Sequence, residues 1–302
     1  MLFYNYFARW MKIYKKPVLR LVSYKKYEVI QRHIKQIAPK QTLDTLDRQN
    51  YQKIINEYAK THAKQTTLDF HNVLKACLLD ALDEGDIKRN PCRKISIGGT
   101  ITQKQKKKYL NLQEAEKLIN ALNLNTPIKN SYDWMIYLAL NTGLRFAEIL
   151  GLTKSDFNNS ILSVSKTFDY KHTLKLENRT KTFLSTRKIV LPPSVSDKFE
   201  QALKTYDDDE LVFIGDKKIY NSTANDYLFN LCTSINITPI SFHGLRHTHA
   251  SILLYNDVSI HSISKRLGHA RISITQDRYA HLINELKTVD DEKIKMALTS
   301  RY

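Results

Sequence analysis

Between Pro91 and Tyr109 the chain loses the apolar periodicity that it keeps on either side. The stretch "NPCRKISIGGTITQKQKKKYLN" holds Pro91, the Gly98-Gly99 pair and four lysines within five positions, at 104 and 106–108. A buried helix or strand needs an apolar face that repeats every 3.6 or every two residues, and this stretch offers neither. The polypeptide on each side must therefore find its own core. That divides the 302 residues into a domain over 1–95, a basic linker over 96–108, a larger domain over 109–282 and a tail over 283–302.

On the N-terminal side the apolar residues recur at helical spacing. In "FARWMKIYKK", Phe7, Trp10, Met11 and Tyr14 form an i, i+3, i+4, i+7 stripe, as an amphipathic helix does. "SYKKYEVIQRHIKQI" repeats it through Tyr24, Tyr27, Ile30, His33 or Ile34, and Ile37. "DRQNYQKIINEYAK" and "TTLDFHNVLKACLLDALDEG" continue in the same style. Gly85 is placed to end the last helix, and Asp44 and Asp47 to cap a helix start. The expectation is a four- or five-helix domain with Lys and Arg on its outer faces.

From Tyr109 the helical pattern returns. Asn111 and Glu114 have capping-box spacing, and "SYDWMIYLALNTG" is strongly apolar up to Gly143. The texture then changes. "SILSVSKTF" alternates apolar and polar, and "RTKTFLSTRKIVLPP" reads as two short strands around a Ser-Thr turn. Helices resume at Val195. The predicted fold is mainly α: an N-terminal helical domain, then a mainly α domain with one small antiparallel β-sheet.

Charge narrows the partner. Forty-seven Lys and Arg against 30 Asp and Glu leave a formal charge of +17. Mutual repulsion among these cations does nothing for a fold, but it draws the molecule to polyanions, of which nucleic acid is the usual one. A membrane surface is the other anionic partner. No apolar run approaches the ~18 residues needed to span a bilayer, and "MLFYNYFARWMKIYKK" lacks the small-residue cleavage site of a signal peptide. Cys77, Cys92 and Cys232 are far apart and odd in number. They suit a reducing cytoplasm and supply neither a disulfide framework nor a zinc-binding CxxC.

Four stretches of the larger domain carry groups able to bind or attack a phosphodiester: "TGLRFAEILGL", "RTKTFLSTRKIVLP", "SFHGLRHTHAS" and "LGHARISITQDRYAHL". Arg145 follows Gly143 at a helix start among Leu144, Phe146, Ala147 and Ile149. An arginine so near a core needs an anionic partner, and Glu148, three residues on, is placed to fix its orientation. His243 and Arg246 also stand three apart and share a face of a helical turn. A zinc protease would need HExxH, and Gly244 occupies the place of the glutamate. A zinc site from His247, His249 and His261 has no cysteine or carboxylate to complete it. His247 and His249, followed by the apolar "ASILL", are expected to face the interior with their ring nitrogens satisfied.

Taken in order, TGLRxxE, a strand lysine, HxLRH, then LGH and a tyrosine shortly after resemble the tyrosine recombinase family, the phage-integrase type. The resemblance covers nearly the whole chain: the first domain resembles the family's core-site-binding helical domain and the second its catalytic domain. It implies that Arg145 and Arg246 are the two catalytic arginines, with Glu148 supporting the first. It implies Lys181, in "RTKT", as the hairpin lysine, with Lys175 and Lys188 close by in sequence. His243 matches the histidine of HxxR, His269 the later histidine, and Tyr279 the nucleophile.

The chemistry implied by the resemblance follows from charge. Two arginine forks would hold the non-bridging oxygens of a phosphodiester as negative charge builds on them. Tyr279 would attack the phosphorus, forming a phosphotyrosine link and freeing a 5′-hydroxyl. A phenol of ordinary pKa near ~10 needs help at neutral pH, which His243 would give as general base, with Lys181 as general acid. His269 would bond the phosphate and steady the tyrosine's helix. Arginines do the charge work, so no metal or other cofactor is expected. The ester conserves bond energy, so no GxxxxGK[ST] nucleotide motif is needed. The resemblance further implies double-stranded DNA with specific core sites as partner. It implies a homo-oligomer on DNA, a tetramer, with tails exchanged between protomers, and accessory DNA-bending or directionality factors. Lys104, Lys106, Lys107 and Lys108 read either as a solvated linker or as a strip along the phosphate backbone. The location expected is the cytoplasm, at the nucleoid. Many members carry a further DNA-binding module ahead of these helices, and "FYNYFARW" lies almost inside the first helix; either the module is lacking or a shorter form is presented. Two other readings stand beside this one. A topoisomerase of related type would share the site logic but only relax supercoils, and a non-catalytic DNA-binding protein would use "SISKRLGHARISITQDRY" as a helix–turn–helix.

Overall fold

A computed structural model describes residues 1–19, 21–100, 109–177, 186–269, 271–276 and 279. The chain divides into two compact units, Met1–Gln105 and Lys106–Tyr302, and each has its own buried apolar cluster.

The first unit is built from α1 (Phe3–Trp10), a π-helical turn (Met11–Lys15), α2 (Leu21–Ile37), α3 (Arg48–Ala59) and α4 (Lys64–Asp83). Phe3, Phe7 and Trp10 are buried with Tyr51 of α3 and with Leu74 and Cys77 of α4. The stripe predicted through Tyr14 stops at Met11. A π turn carries an extra residue, which rotates Tyr14 off the buried face; it is 43% exposed, with its hydroxyl bonded to Glu84. Asp47 caps α3 by accepting the Asn50 N–H at 2.8 Å, and Gly85 follows the end of α4 at φ +80°. Asp44 caps nothing and lies 3.9 Å from the amino terminus.

In the second unit α5 (Leu112–Ala121) begins at a capping box, where Asn111 and Glu114 each accept the other's backbone N–H at 2.9 Å. Then come α6 (Tyr132–Thr142) and α7 (Phe146–Leu150). The strands are β1 (Phe157–Asn158), β2 (Ile161–Val164), β3 (Thr167–Phe168), β4 (Leu176–Glu177) and β5 (Arg187–Val190). Helices α8 (Pro193–Ala202), α9 (Asn221–Ser234), α10 (Phe242–Tyr255) and α11 (Ile260–Leu267) follow. Every residue of α6 from Trp134 to Leu140 is buried, and the helix packs against α10.

The sequence predicts one small sheet, and the described residues form two. β1, β2 and β5 make an antiparallel sheet with Leu162 opposite Ile189 and Val164 opposite Arg187. β3 and β4 pair separately. The alternation of "SILSVSKTF" breaks after Val164, so Thr167 and Phe168 start a new ladder. Of the two strands expected in "RTKTFLSTRKIVLPP", the second is β5; the first, with Lys181, lies outside the described residues. So do Lys104, Lys106, Lys107, Lys108 and the tail over 283–302. Among the described residues no helix is long and apolar enough to cross a membrane.

Candidate active site

Two helices end at one point in the second unit. α6 and α11 each stop at a left-handed glycine, Gly143 and Gly268, both at φ +68°. A helix C-terminus leaves carbonyls without intrahelical partners and gathers negative partial charge. Arg246 of α10 answers both ends: Nη1 donates to Gly143 O and Nη2 to Leu267 O, each at 2.7 Å. The side chain is 1% exposed. Burial, and next the charge of Arg145, lower this guanidinium to about 9, against the opposing pull of Glu148. Position 143 has to be glycine on two counts. Its φ disfavours any L side chain, and a Cβ there would stand 2.6 Å from Leu267 Cδ2 and 2.8 Å from His249 Cδ2.

Arg145 opens α7. Its backbone N–H donates to Glu148 Oε2 at 2.9 Å and its Nη1 to Oε1 at 2.7 Å, while Nη2 lies 3.5 Å from Gly268 O. The predicted orienting role of Glu148 toward Arg145 is thus visible as geometry. Arg145 is 37% exposed, Glu148 only 2%. Glu148 also accepts from Arg187, at 3.2 Å from Nη1 and 2.9 Å from Nη2, and Arg187 Nε donates to Arg266 O at 2.7 Å. Burial raises the Glu148 carboxyl; the charges and hydrogen bonds of Arg187, then of Arg145 and Arg246, outweigh it and hold the group at about 2.

The histidines sort differently from the sequence expectation. His249 does face the interior. Its Nδ1–H donates to Leu140 O at 2.7 Å and its Nε2 accepts from Arg266 Nε at 3.0 Å. Burial, followed by the charge of Arg266, pushes it down to about 3, so it is neutral and has no lone pair left for a metal. The zinc arrangement with His247 and His261 loses that ligand. His247, expected to pack in the same way, instead meets the Tyr279 hydroxyl: Nδ1 and Oη are 2.8 Å apart. The reason is rotational, since residues 247 and 249 lie some 200° apart around a helix of 3.6 residues per turn. His243, one turn earlier, is exposed and stands edge-on to His247, with ring centroids 4.9 Å apart. His269 Nδ1 bonds Thr275 Oγ1 at 2.8 Å.

Tyr279 is 2% exposed and packs with Ala250, Ile263 and Leu267. It is close enough to Arg246 for their charges to interact. The fold therefore brings Arg145, Glu148, Arg246 and Tyr279 together. It brings His243 alongside through His247, and His269 next to the Gly268 carbonyl that Arg145 approaches. Arg187 was missed by sequence reasoning. The signal was the two-residue alternation of β5, which puts Arg187 on the buried face with Ile189 and so demands an anion there. Among the described residues no group of three or more His, Cys, Asp or Glu is arranged to hold a metal ion.

The fold is shared with solved structures. The Tn1549 transposon integrase, in complex with a circular intermediate DNA, matches with a TM-score of 0.81 at 18% identity, over 97% of this chain and 99% of that one. A lambda integrase dimer bound to a COC′ core site matches at 0.66 and 16% identity, over 92% and 95%. In sequence, the tyrosine recombinase XerC-like protein of Caldanaerobacter subterraneus subsp. tengcongensis is 29% identical over 262 residues, 76% of this chain and 66% of that protein. The ICEBs1 integrase of Bacillus subtilis is 24% identical over 232 residues, 70% and 60% respectively. The chain spans less than two thirds of the length of these curated relatives. The model of the phage integrase family matches residues 108–285, which contain Arg145, Glu148, Arg246 and Tyr279, and with more than half its length so matched the chain belongs to the phage integrase family.

Proposed function

We propose that the protein is a site-specific DNA recombinase that cuts and rejoins strands through a covalent 3′-phosphotyrosine intermediate and serves to integrate and excise a mobile element. One observation carries this reading: Arg145 and Arg246, about a hundred residues apart in sequence, meet at the ends of α6 and α11, and the Tyr279 hydroxyl is held on the neighbouring helix α10 by His247. The arginines supply the charge that a phosphodiester transition state needs. Arg145 is the more exposed and meets a phosphate first. Arg246 is nearly inaccessible, held by the two helix-end carbonyls.

In this reading Tyr279 Oη attacks phosphorus in line, the Oη–P bond forms and the P–O5′ bond breaks. Lys181 protonates the leaving 5′-oxygen, and His269 bonds the phosphate. Glu148 and Arg187 hold Arg145 in place. His243 takes the Oη proton as general base, the role that the family resemblance implies. The partner is double-stranded DNA with specific core sites, bound as a tetramer with accessory bending or directionality factors, and with Lys104, Lys106, Lys107 and Lys108 along the backbone. The reading is supported by the named relatives being recombinases and integrases, and by solved neighbours in complex with DNA. Relaxation of any supercoiled plasmid, independent of sequence, would favour a topoisomerase instead.

The test uses a nicked duplex selected by the protein from a random-sequence pool. Wild type should form an adduct stable in a denaturing gel, and Tyr279→Phe should form none. Arg145→Ala should slow adduct formation by about 10²-fold or more while retaining most DNA binding. An adduct that survives Tyr279→Phe sinks the assignment.

A further inference from the structure

We infer that Arg266 is a positioning residue for the reaction: its guanidinium braces the two helix ends that aim Arg246. The assignment rests on the recombinase reading above. Arg266 lies on α11 directly before Leu267, whose carbonyl accepts from Arg246. Its Nη2 donates to Asn141 O at 3.1 Å, on α6 just ahead of Gly143, and Gly143 supplies the other carbonyl that Arg246 holds. Arg246 and Arg266 therefore join the same two helix ends.

Arg266 also reaches two further elements. Nη1 donates to Val190 O at the end of β5, at 3.2 Å, and Nε to His249 Nε2 on α10, at 3.0 Å. The direction of the second bond is fixed, because a guanidinium has donors only. His249 must then carry its hydrogen on Nδ1, and Leu140 O accepts it at 2.7 Å. Both ring nitrogens are committed, so the ring ties α10 to α6 and to α11 close to Arg246. The nitrogens of one side chain thus meet acceptors from α6, α10 and β5.

The brace matters because of how Arg246 is aimed. A guanidinium carries five N–H groups, and Arg246 gives one from Nη1 and one from Nη2 to the two carbonyls, each at 2.7 Å. The fork is planar, so holding Nη1 and Nη2 sets where its remaining N–H groups point. A shift of either carbonyl turns the whole fork. Both carbonyls belong to helix C-termini, where no further turn of helix holds the backbone. Arg246 cannot be aimed by a spacing that it alone maintains, and Arg266 supplies the independent tie. None of the three bonds from Arg266 goes to a group that would meet phosphate, so its effect on chemistry passes through Arg246. The carbonyl of Arg266 accepts Arg187 Nε at 2.7 Å, a backbone bond that a substitution at 266 leaves its acceptor.

The experiment compares Arg266→Gln with wild type, as the full chain on the selected nicked duplex. Duplex affinity, read by anisotropy, should stay close to wild type. Single-turnover adduct formation, taken on the DNA-bound fraction, should slow by about 10²-fold, the cost of misplacing a reacting group by about 1 Å. A rate near wild type overturns the assignment. In an Arg246→Lys background the same substitution should add less than about twofold, since effects that run through one shared group do not add. If it costs its full factor there too, Arg266 acts elsewhere and the assignment falls. Should Arg266→Gln fail to fold, Arg266→Lys takes its place: it keeps the cation but lacks the planar fork that spans the three acceptors. It should show the same pattern of retained affinity and slowed rate, and a wild-type rate would reduce residue 266 to a charge and overturn the brace. If neither variant binds DNA, Arg266 serves the fold alone and the positioning role is lost. Absence of any wild-type adduct, or its survival in Tyr279→Phe, is the separate failure of the recombinase reading.

Discussion

Arg145 and Arg187 both donate into the one carboxylate of Glu148, from different elements and on either side of it. With Glu148 and Arg187 both about nine-tenths buried or more, removal of Arg187 takes from the carboxylate its buried counter-charge and two hydrogen bonds, leaving only the more exposed Arg145 beside it. Arg187→Ala should therefore destabilise the second unit by about 3–5 kcal/mol, measured by urea unfolding. The acid limb should shift as well. Held at about 2 when folded against an ordinary ~4.3, Glu148 contributes stability that is complete above that ordinary value and is lost as the pH falls through about 2. Without Arg187 that loss should begin at higher pH, and an unchanged acid limb would remove Arg187 from the pair. Arg145, Glu148, Arg246 and Tyr279 were legible as motif positions. Arg187 was legible in principle, as an arginine on the inward side of an alternating strand. The bond from His247 to Tyr279 was not, because 32 residues separate the partners and no local spacing encodes their meeting.

Element ends were the most legible parts of the fold, since a cap is a local bargain between a side chain and the backbone beside it. Asp47, the Asn111–Glu114 box, Gly85 and Gly143 all do what their positions suggested. Strand partners were less so. β5 returns to β2 across an intervening pair of strands, a choice made by which apolar faces remain to be covered. The π turn after α1 likewise has no period that a helical stripe could reveal. Gly143→Ala tests an element end. The left-handed φ costs about 1–2 kcal/mol, and the crowding against Leu267 and His249 adds about 1–3 kcal/mol. A loss of roughly 2–5 kcal/mol in denaturant unfolding is expected, whereas a loss below about 1 kcal/mol would mean that the two helix ends are free to part.

Over the whole molecule the charge is unevenly shared. The first unit, Met1–Gln105, carries 20 Lys and Arg against nine Asp and Glu and so holds most of the net +17. In the recombinase reading this cationic surplus neutralises phosphates, and each neutralised phosphate contributes about −0.9 to the slope of log affinity against log salt. If six to ten phosphates are engaged, duplex affinity should fall by about 10³–10⁵-fold between 50 and 200 mM salt, as read by anisotropy titrations; a nearly flat dependence would deny the charge that role. The buried guanidinium of Arg246 has a different bearing on the molecule's history. It ties the ends of α6 and α11 together through two backbone carbonyls, so in the recombinase reading its duty to the fold would outlast its duty to chemistry. On that reading, a descendant that had abandoned strand exchange could replace Tyr279 with phenylalanine, which keeps its buried ring, and would still be selected to keep Arg246. In such a lineage decay would begin at 279, and an intact arginine at 246 would testify to ancestry, not to a living enzyme.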